Sequence, residues 1–194
     1  MAGDAARRPA VFLDRDGTVT EEVGYLNHWK RFRLLPGVGG AIRRLNEASL
    51  PVIVVTNQSG VGRGYFPEDL VRDVHQRMSS ELFNAGARLD GVYFCPHVPT
   101  DECNCRKPRT GMLEQAAREL RLDLKSSFVV GDRHSDVELA HRAGAQSILV
   151  RTGYGEGELA WHAKDWPRQP EFVAADLLDA VNWILKEYEY NDQR

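Results

Sequence analysis

Cysteine is scarce: the chain has three in 194 residues, at positions 95, 103 and 105. An odd number crowded into one short stretch cannot pair off completely as disulfides. A reducing cytoplasmic setting is therefore expected, with the thiols free, catalytic or bound to metal. Long apolar runs are missing as well. None approaches the roughly 18–20 residues of a membrane-spanning helix, and none precedes Val11, so no secretory leader is expected. An excess of positive charge is missing too. Lys plus Arg number 25 against 28 Asp plus Glu, a net charge of −3. That disfavours a basic nucleic-acid binder but leaves room for a local basic patch. No Gly-x-Ser-x-Gly elbow and no Ser-His-Asp order occurs, so acyl transfer has no support. No repeat or low-complexity segment interrupts the chain.

What is present is ordinary globular material, 42% hydrophobic and 27% charged. The length predicts one domain able to bury a core without staples, over residues 9–190, with loose tails at 1–8 and 191–194. Apolar, β-branched runs at 9–14, 51–56, 91–94, 127–132, 147–150 and 171–173 read as strands buried on both faces. Between them lie helical stripes. Val38, Ala41, Ile42 and Leu45 form one; Val71, Val74, Met78 and Leu82 form another after Pro67. Met112 to Leu120 makes a third, and Leu177 to Tyr188 the last. Ser135 to Glu138 reads as a capping box opening a short helix that Gly144 stops. This alternation predicts an α/β domain: a Rossmann-like three-layer sandwich with a mainly parallel sheet. Ligands in such sheets bind beyond the carboxyl ends of the strands.

Those ends carry the polar residues. The first strand runs into Asp14-Arg15-Asp16-Gly17-Thr18, the second into Thr56-Asn57-Gln58-Ser59-Gly60, and the fourth into Gly131-Asp132-Arg133-His134-Ser135-Asp136. Gathered carboxylates repel one another and need a cation or a shared proton. Oxygen ligands of this kind suit Mg²⁺, which usually also holds a substrate phosphate. The i, i+2 spacing of Asp14 and Asp16 lets both face one site. One carboxylate could attack phosphorus and the other transfer protons. The glycine-rich stretch 57–65 is either a flexible loop or a phosphate cradle; it matches neither the Walker A loop nor the dinucleotide fingerprint.

The cysteines form a tighter pattern. Cys95-x-His97 and Cys103-x-Cys105 are two i, i+2 pairs, each sharing one face of an extended segment. Three thiolates and one imidazole make a closed tetrahedral set, which points to structural Zn²⁺. Arg106-Lys107-Pro108-Arg109 follows at once. It is either a solvated basic run or a pinned loop that aims Arg106 or Lys107 at phosphoryl charge. The other histidines, His28, His75, His134, His141 and His162, show no partner spacing and read as surface or core residues.

Taken together, Phe12 to Thr18, Val55-Thr56-Asn57, Lys107-Pro108 and Val130-Gly131-Asp132 with Asp136 resemble the haloacid dehalogenase superfamily of Mg²⁺-dependent phosphatases. Within it the zinc loop resembles the branch containing heptose-bisphosphate phosphatases and histidinol phosphatases. The loop itself occurs in both. Gly111-Met112-Leu113 and Arg151-Thr152-Gly153-Tyr154-Gly155 look more like the heptose family. The resemblance implies an open site with no large cap domain. It implies Asp14 as nucleophile, Asp16 as general acid/base, and Thr56 and Lys107 as phosphoryl-stabilising groups. Mg²⁺ would be held by Asp14, Asp16 through its carbonyl, and Asp132, with the role of Asp136 left open between a metal ligand and a supporting group. Arg106, Glu22, Val23, Gly24, Tyr25, Asn57, Gln58, Ser59 and Arg133 would contact substrate, Arg133 standing where the heptose family can place a lysine. The implied substrate is a small sugar phosphate, a heptose 1,7-bisphosphate cleaved at position 7 on the way to a nucleotide-activated heptose. Histidinol phosphate is the enzymatic alternative, and a non-catalytic zinc-stabilised binding module the alternative from another class. No membrane or nucleic-acid partner is implied, and a monomer is expected.

Overall fold

The computed structural model describes residues 7–192, with side chains through residue 190. Six strands form one sheet: β1 (Val11–Leu13), β2 (Val52–Asn57), β3 (Gly91–Cys95), β4 (Phe128–Gly131), β5 (Gln146–Val150) and β6 (Phe172–Ala174). Their order is β3-β2-β1-β4-β5-β6 and every pairing is parallel. Parallel neighbours need crossovers, and helices supply them. These are α1 (Val38–Glu47), α2 (Glu68–Asn84), α3 (Gly111–Leu120), α4 (His134–Ala143), α5 (Gly155–Trp161) and α6 (Leu177–Asp192).

Alternating side chains along each strand build two cores. Val11, Leu13, Val52, Val54, Phe128 and Val130 pack with α1, α2 and α6 on one face. Phe12, Ile53, Val55 and Val129 pack with α3 and α4 on the other. Each fully buried Phe or Ile contributes about 1.5–3 kcal/mol. This explains the uninterrupted apolar runs: a central parallel strand has no wet face. The expected sandwich, with no separate cap domain among the described residues, is the observed one.

Three local readings differ. The helix α4 starts at His134, one residue before the expected box. The Asp136 carboxylate accepts the Arg133 N–H at 3.2 Å, replacing the expected Ser135–Glu138 pairing. The helix α5 was not expected; its sequence buries only Gly155 and so lacks an apolar stripe. Arg8, the last residue of the expected loose tail, is tied down: it pairs with Leu122, and its carbonyl accepts the Asp123 N–H at 2.8 Å. Residues 1–6 and 193–194 of the expected tails lie outside the described residues.

Candidate active site

The strand order reverses between β1 and β4, so the loops leaving them diverge and open a crevice. Asp14 is the first residue beyond β1, and Asp132 the first beyond β4. The Asp14 N–H still donates to the Val130 carbonyl at 2.9 Å, which fixes the nucleophile candidate against the neighbouring strand.

Three buried carboxylates, Asp14, Asp132 and Asp136, bring oxygens within 4.8 Å of one another. One ammonium stands among them. Lys107 Nζ lies 2.7 Å from Asp14 Oδ1 and 2.6 Å from Asp136 Oδ1. Burial pulls the lysine down, but Asp136 and Asp14 outweigh it and keep it charged. One cation does not satisfy three acids. Burial foremost, then Asp136 and Asp16, push Asp14 up to about 7 against the pull of Lys107. Burial and the Asp14 charge push Asp132 up to about 8.

The acids divide by what they touch. Asp136 is engaged at both oxygens, by Lys107 and by the Arg133 N–H. It therefore aligns the lysine and caps α4. Asp132 Oδ2 accepts the Tyr154 N–H at 2.8 Å, whereas Oδ1 is buried without a partner. A buried, partnerless carboxylate oxygen in a site short of positive charge fits a hard divalent cation. Two glycines make room for the Asp132 carboxylate. Gly17 (φ +80) and Gly153 (φ +57) both sit where a Cβ would overlap Asp132 Oδ2. Their positive φ also disfavours any side chain.

Asp16 lies on the cavity side, its side chain 14% exposed. Arg15 Nη2 donates to both its oxygens at 2.8 and 2.7 Å, and Arg15 Nε to Oδ1 at 3.0 Å. Gln58 Nε2 donates to Asp16 Oδ2 at 2.9 Å and to Thr56 Oγ1 at 2.8 Å. Because Thr56 accepts there, its own hydroxyl proton remains available to an oxygen in the cavity.

A cavity of about 470 Å³ covers these groups. Asp14, Asp16, Thr56 and Lys107 line it, as do Glu22, Gly24, Tyr25, Asn57, Gln58, Ser59, Arg106 and Arg133. Val23 is not among the lining residues; it packs against the hydrophobic core, and its carbonyl accepts from Arg31. Asn57 clamps the lysine loop as well as facing the cavity. Its Oδ1 accepts the Lys107 N–H at 3.0 Å, and its Nδ2 donates to the Lys107 carbonyl at 3.3 Å. Four further lining residues were not singled out as substrate contacts: Gly60 and Arg63, which fall in the glycine-rich stretch 57–65 weighed as a phosphate cradle, and Ser135 and Tyr154. Arg133 stacks on Tyr154, 3.8 Å from the ring centroid. The signal for Tyr154 was available, since it follows the carboxyl end of β5, another strand end on the ligand edge.

Beside the cavity the four cysteine and histidine ligand atoms converge. Cys95 Sγ lies 3.1 Å from Cys105 Sγ and 3.5 Å from Cys103 Sγ. His97 Nδ1 lies 3.3 Å from Cys105 Sγ and 3.6 Å from Cys95 Sγ. A tetrahedron with metal–sulfur bonds near 2.3 Å has edges of about 3.8 Å, close to this set. The arm is also laced to its surroundings. Arg109 Nη1 donates to the Cys103 carbonyl at 2.7 Å, and the Gln58 N–H donates to the Cys95 carbonyl at 2.7 Å. The last of the thiols sits two residues before Lys107.

Among known proteins, the HAD-hydrolase-like family model matches residues 104–180. The D-glycero-D-manno-heptose-1,7-bisphosphate 7-phosphatase of Thermosynechococcus vestitus is 44% identical over 191 residues, covering 91% of this chain and 95% of that protein. The D-glycero-beta-D-manno-heptose-1,7-bisphosphate 7-phosphatase of Yersinia pestis is 43% identical over 192 residues, covering 93% and 97%. In three dimensions the chain is similar to the crystal structure of D,D-heptose 1,7-bisphosphate phosphatase from B. bronchiseptica complexed with magnesium and phosphate. The TM-score is 0.85 at 35% identity, over 92% of this chain and 99% of that one. At these identities over nearly its whole length, the chain belongs to the haloacid dehalogenase hydrolases, in the branch of the heptose-bisphosphate phosphatases, and is a phosphoric monoester hydrolase.

Proposed function

We propose that this protein removes the 7-phosphate of D-glycero-D-manno-heptose 1,7-bisphosphate in the cytosol, through an aspartyl-phosphate on Asp14, on the way to a nucleotide-activated heptose. The observation that carries the reading is the pairing of Asp14 with Lys107 beside a separately held Asp16, under a cavity that Arg63, Arg106 and Arg133 also line. Several cations around one cavity suit a substrate with two phosphates. The names of the relatives support the same substrate.

Asp14 and Asp132 would hold Mg²⁺, and Cys95, His97, Cys103 and Cys105 would hold Zn²⁺; the family resemblance adds the Asp16 carbonyl to the Mg²⁺ ligands. Bound Mg²⁺ supplies charge neutralisation of the phosphoryl oxygens, and Zn²⁺ ties the lysine loop. The remaining chemistry belongs to the chain. Lys107 and the Arg15 N–H both engage Asp14 Oδ1, which fixes the carboxylate at the edge of the cavity. Asp14 forms the new P–O bond while the bond to the sugar oxygen breaks, and Asp16 gives that oxygen its proton. Lys107 and the Thr56 hydroxyl stabilise charge on the transferring group. Water then attacks phosphorus, Asp16 takes the water proton back, and the Asp14 carboxylate leaves as phosphate is released.

A panel of phosphate-release assays tests the substrate. The expected result is the highest kcat/KM on the heptose 1,7-bisphosphate. A higher value on histidinol phosphate would overturn the assignment while leaving the chemistry intact.

A further inference from the structure

The residue between the two catalytic aspartates does unusual work for its position. Arg15 is the largest fully buried side chain, 1% exposed. Its Nε and Nη2 edge carries Asp16. Its other amino group, Nη1, meets His75 Nε2 at 3.2 Å, sixty residues away on α2, and neither residue lines the cavity. Every guanidinium nitrogen is a donor. His75 Nε2 therefore accepts, and the ring proton sits on Nδ1.

We propose that His75 is a positioning residue for the acid/base Asp16, acting through Arg15. The inference rests on the reading of Asp16 as proton donor to the leaving group. A guanidinium held at one end only could rotate about its last bonds and take the carboxylate with it. Held at both ends, between an acceptor on α2 and the carboxylate on the β1 loop, it has one orientation. Gln58 fixes the carboxylate from a third direction.

The chemistry of the acceptor matters. A carboxylate at position 75 would compete with Asp16 for the guanidinium charge. A neutral imidazole satisfies Nη1 without that competition. Its surroundings keep it neutral: burial first, then the charges of Arg15 and Arg72, lower His75 to about 3. The ring is braced edge-on against Phe94, with centroids 5.5 Å apart. His75 thus remains an acceptor throughout the working pH range, and the device is a fixed brace.

Leaving-group dependence tests this. An alkyl sugar phosphate needs a proton on its departing oxygen; p-nitrophenyl phosphate departs as a stable phenolate and needs none. The ratio kcat/KM reports only the steps through departure, before water attacks. His75→Leu should lower kcat/KM on the heptose bisphosphate by about ten-fold or more, part of the roughly 10²–10⁴ that a positioned acid supplies. On p-nitrophenyl phosphate the change should stay within about two-fold. His75→Gln, whose amide oxygen can accept from Arg15, should recover most of the loss. Arg15→Lys, which cannot reach both partners, should repeat the selective pattern and serves if His75→Leu does not fold. Equal losses on both esters, or no loss on either, would overturn the proposal. Absence of wild-type activity on any ester would instead overturn the catalytic reading beneath it.

Discussion

Asp14 and Asp132 hold their protons unusually tightly in the metal-free fold, at about 7 and about 8. The unfolded chain releases them near pH 4. A raised acid favours the folded state fully below that value and loses its contribution as pH rises through 7 to 8. Metal-free protein should therefore melt at a lower temperature at about pH 8 than at about pH 5. Added Mg²⁺ binds the ionised acids and should raise the melting temperature more at the higher pH. Thermal melts with chelator and with Mg²⁺ check this; equal shifts at both pH values would contradict it. Thr56 offers a second test at this scale. Its hydroxyl accepts from Gln58 and has its proton free for the phosphoryl group. Thr56→Val should lower kcat by on the order of 10²-fold with little change in KM, as measured by steady-state kinetics. These two acids and the threonine were legible in the sequence, because each ends an apolar run. Arg15 was not. It looks like a spacer in Asp-Arg-Asp, and its partner His75 lies in another element with no local pattern to betray it. Val23 erred the other way: it sits inside a matched stretch, yet its side chain turns to the core.

At the scale of elements, the cysteine arm and the lysine loop act as one piece. The arm ends β3, and Lys107 follows its last ligand by two residues, held to β2 by the Asn57 side chain. Cys103→Ser should reduce bound zinc from about one per chain and loosen that loop. Elemental analysis should show the loss, and kcat should fall with it. A zinc-free Cys103→Ser protein with full activity would refute the coupling. The arm was readable because both of its prongs are local i, i+2 pairs. The helix α5 was not, because Gly-Glu-Gly-Glu-Leu-Ala-Trp carries two glycines and no buried stripe. The start of α4 was misplaced by two residues, its cap being Arg133 and not Ser135, for a related reason. Asp136, counted in the sequence as part of a box opened by Ser135, caps the helix from its third position while also gripping Lys107.

For the whole molecule, the parallel order does what no single motif can. It places the ends of β1, β2 and β4 side by side, so residues more than a hundred positions apart, Asp14 and Val130 among them, meet within hydrogen-bonding distance. The alternation of buried strands and amphipathic helices made this architecture legible, and the strand-end rule made the site legible with it. The side-chain network that braces Asp16 depends on tertiary contacts alone and became visible only in the fold. No helix among the described residues is long and apolar enough to cross a membrane. The central claim is that Asp14 carries the phosphoryl group. Its most direct test is Mg²⁺-dependent phosphate release from heptose 1,7-bisphosphate by the wild-type protein and by Asp14→Asn, each shown to be folded. The account predicts turnover by the wild type and none above background for Asp14→Asn; undiminished release by the variant would contradict it.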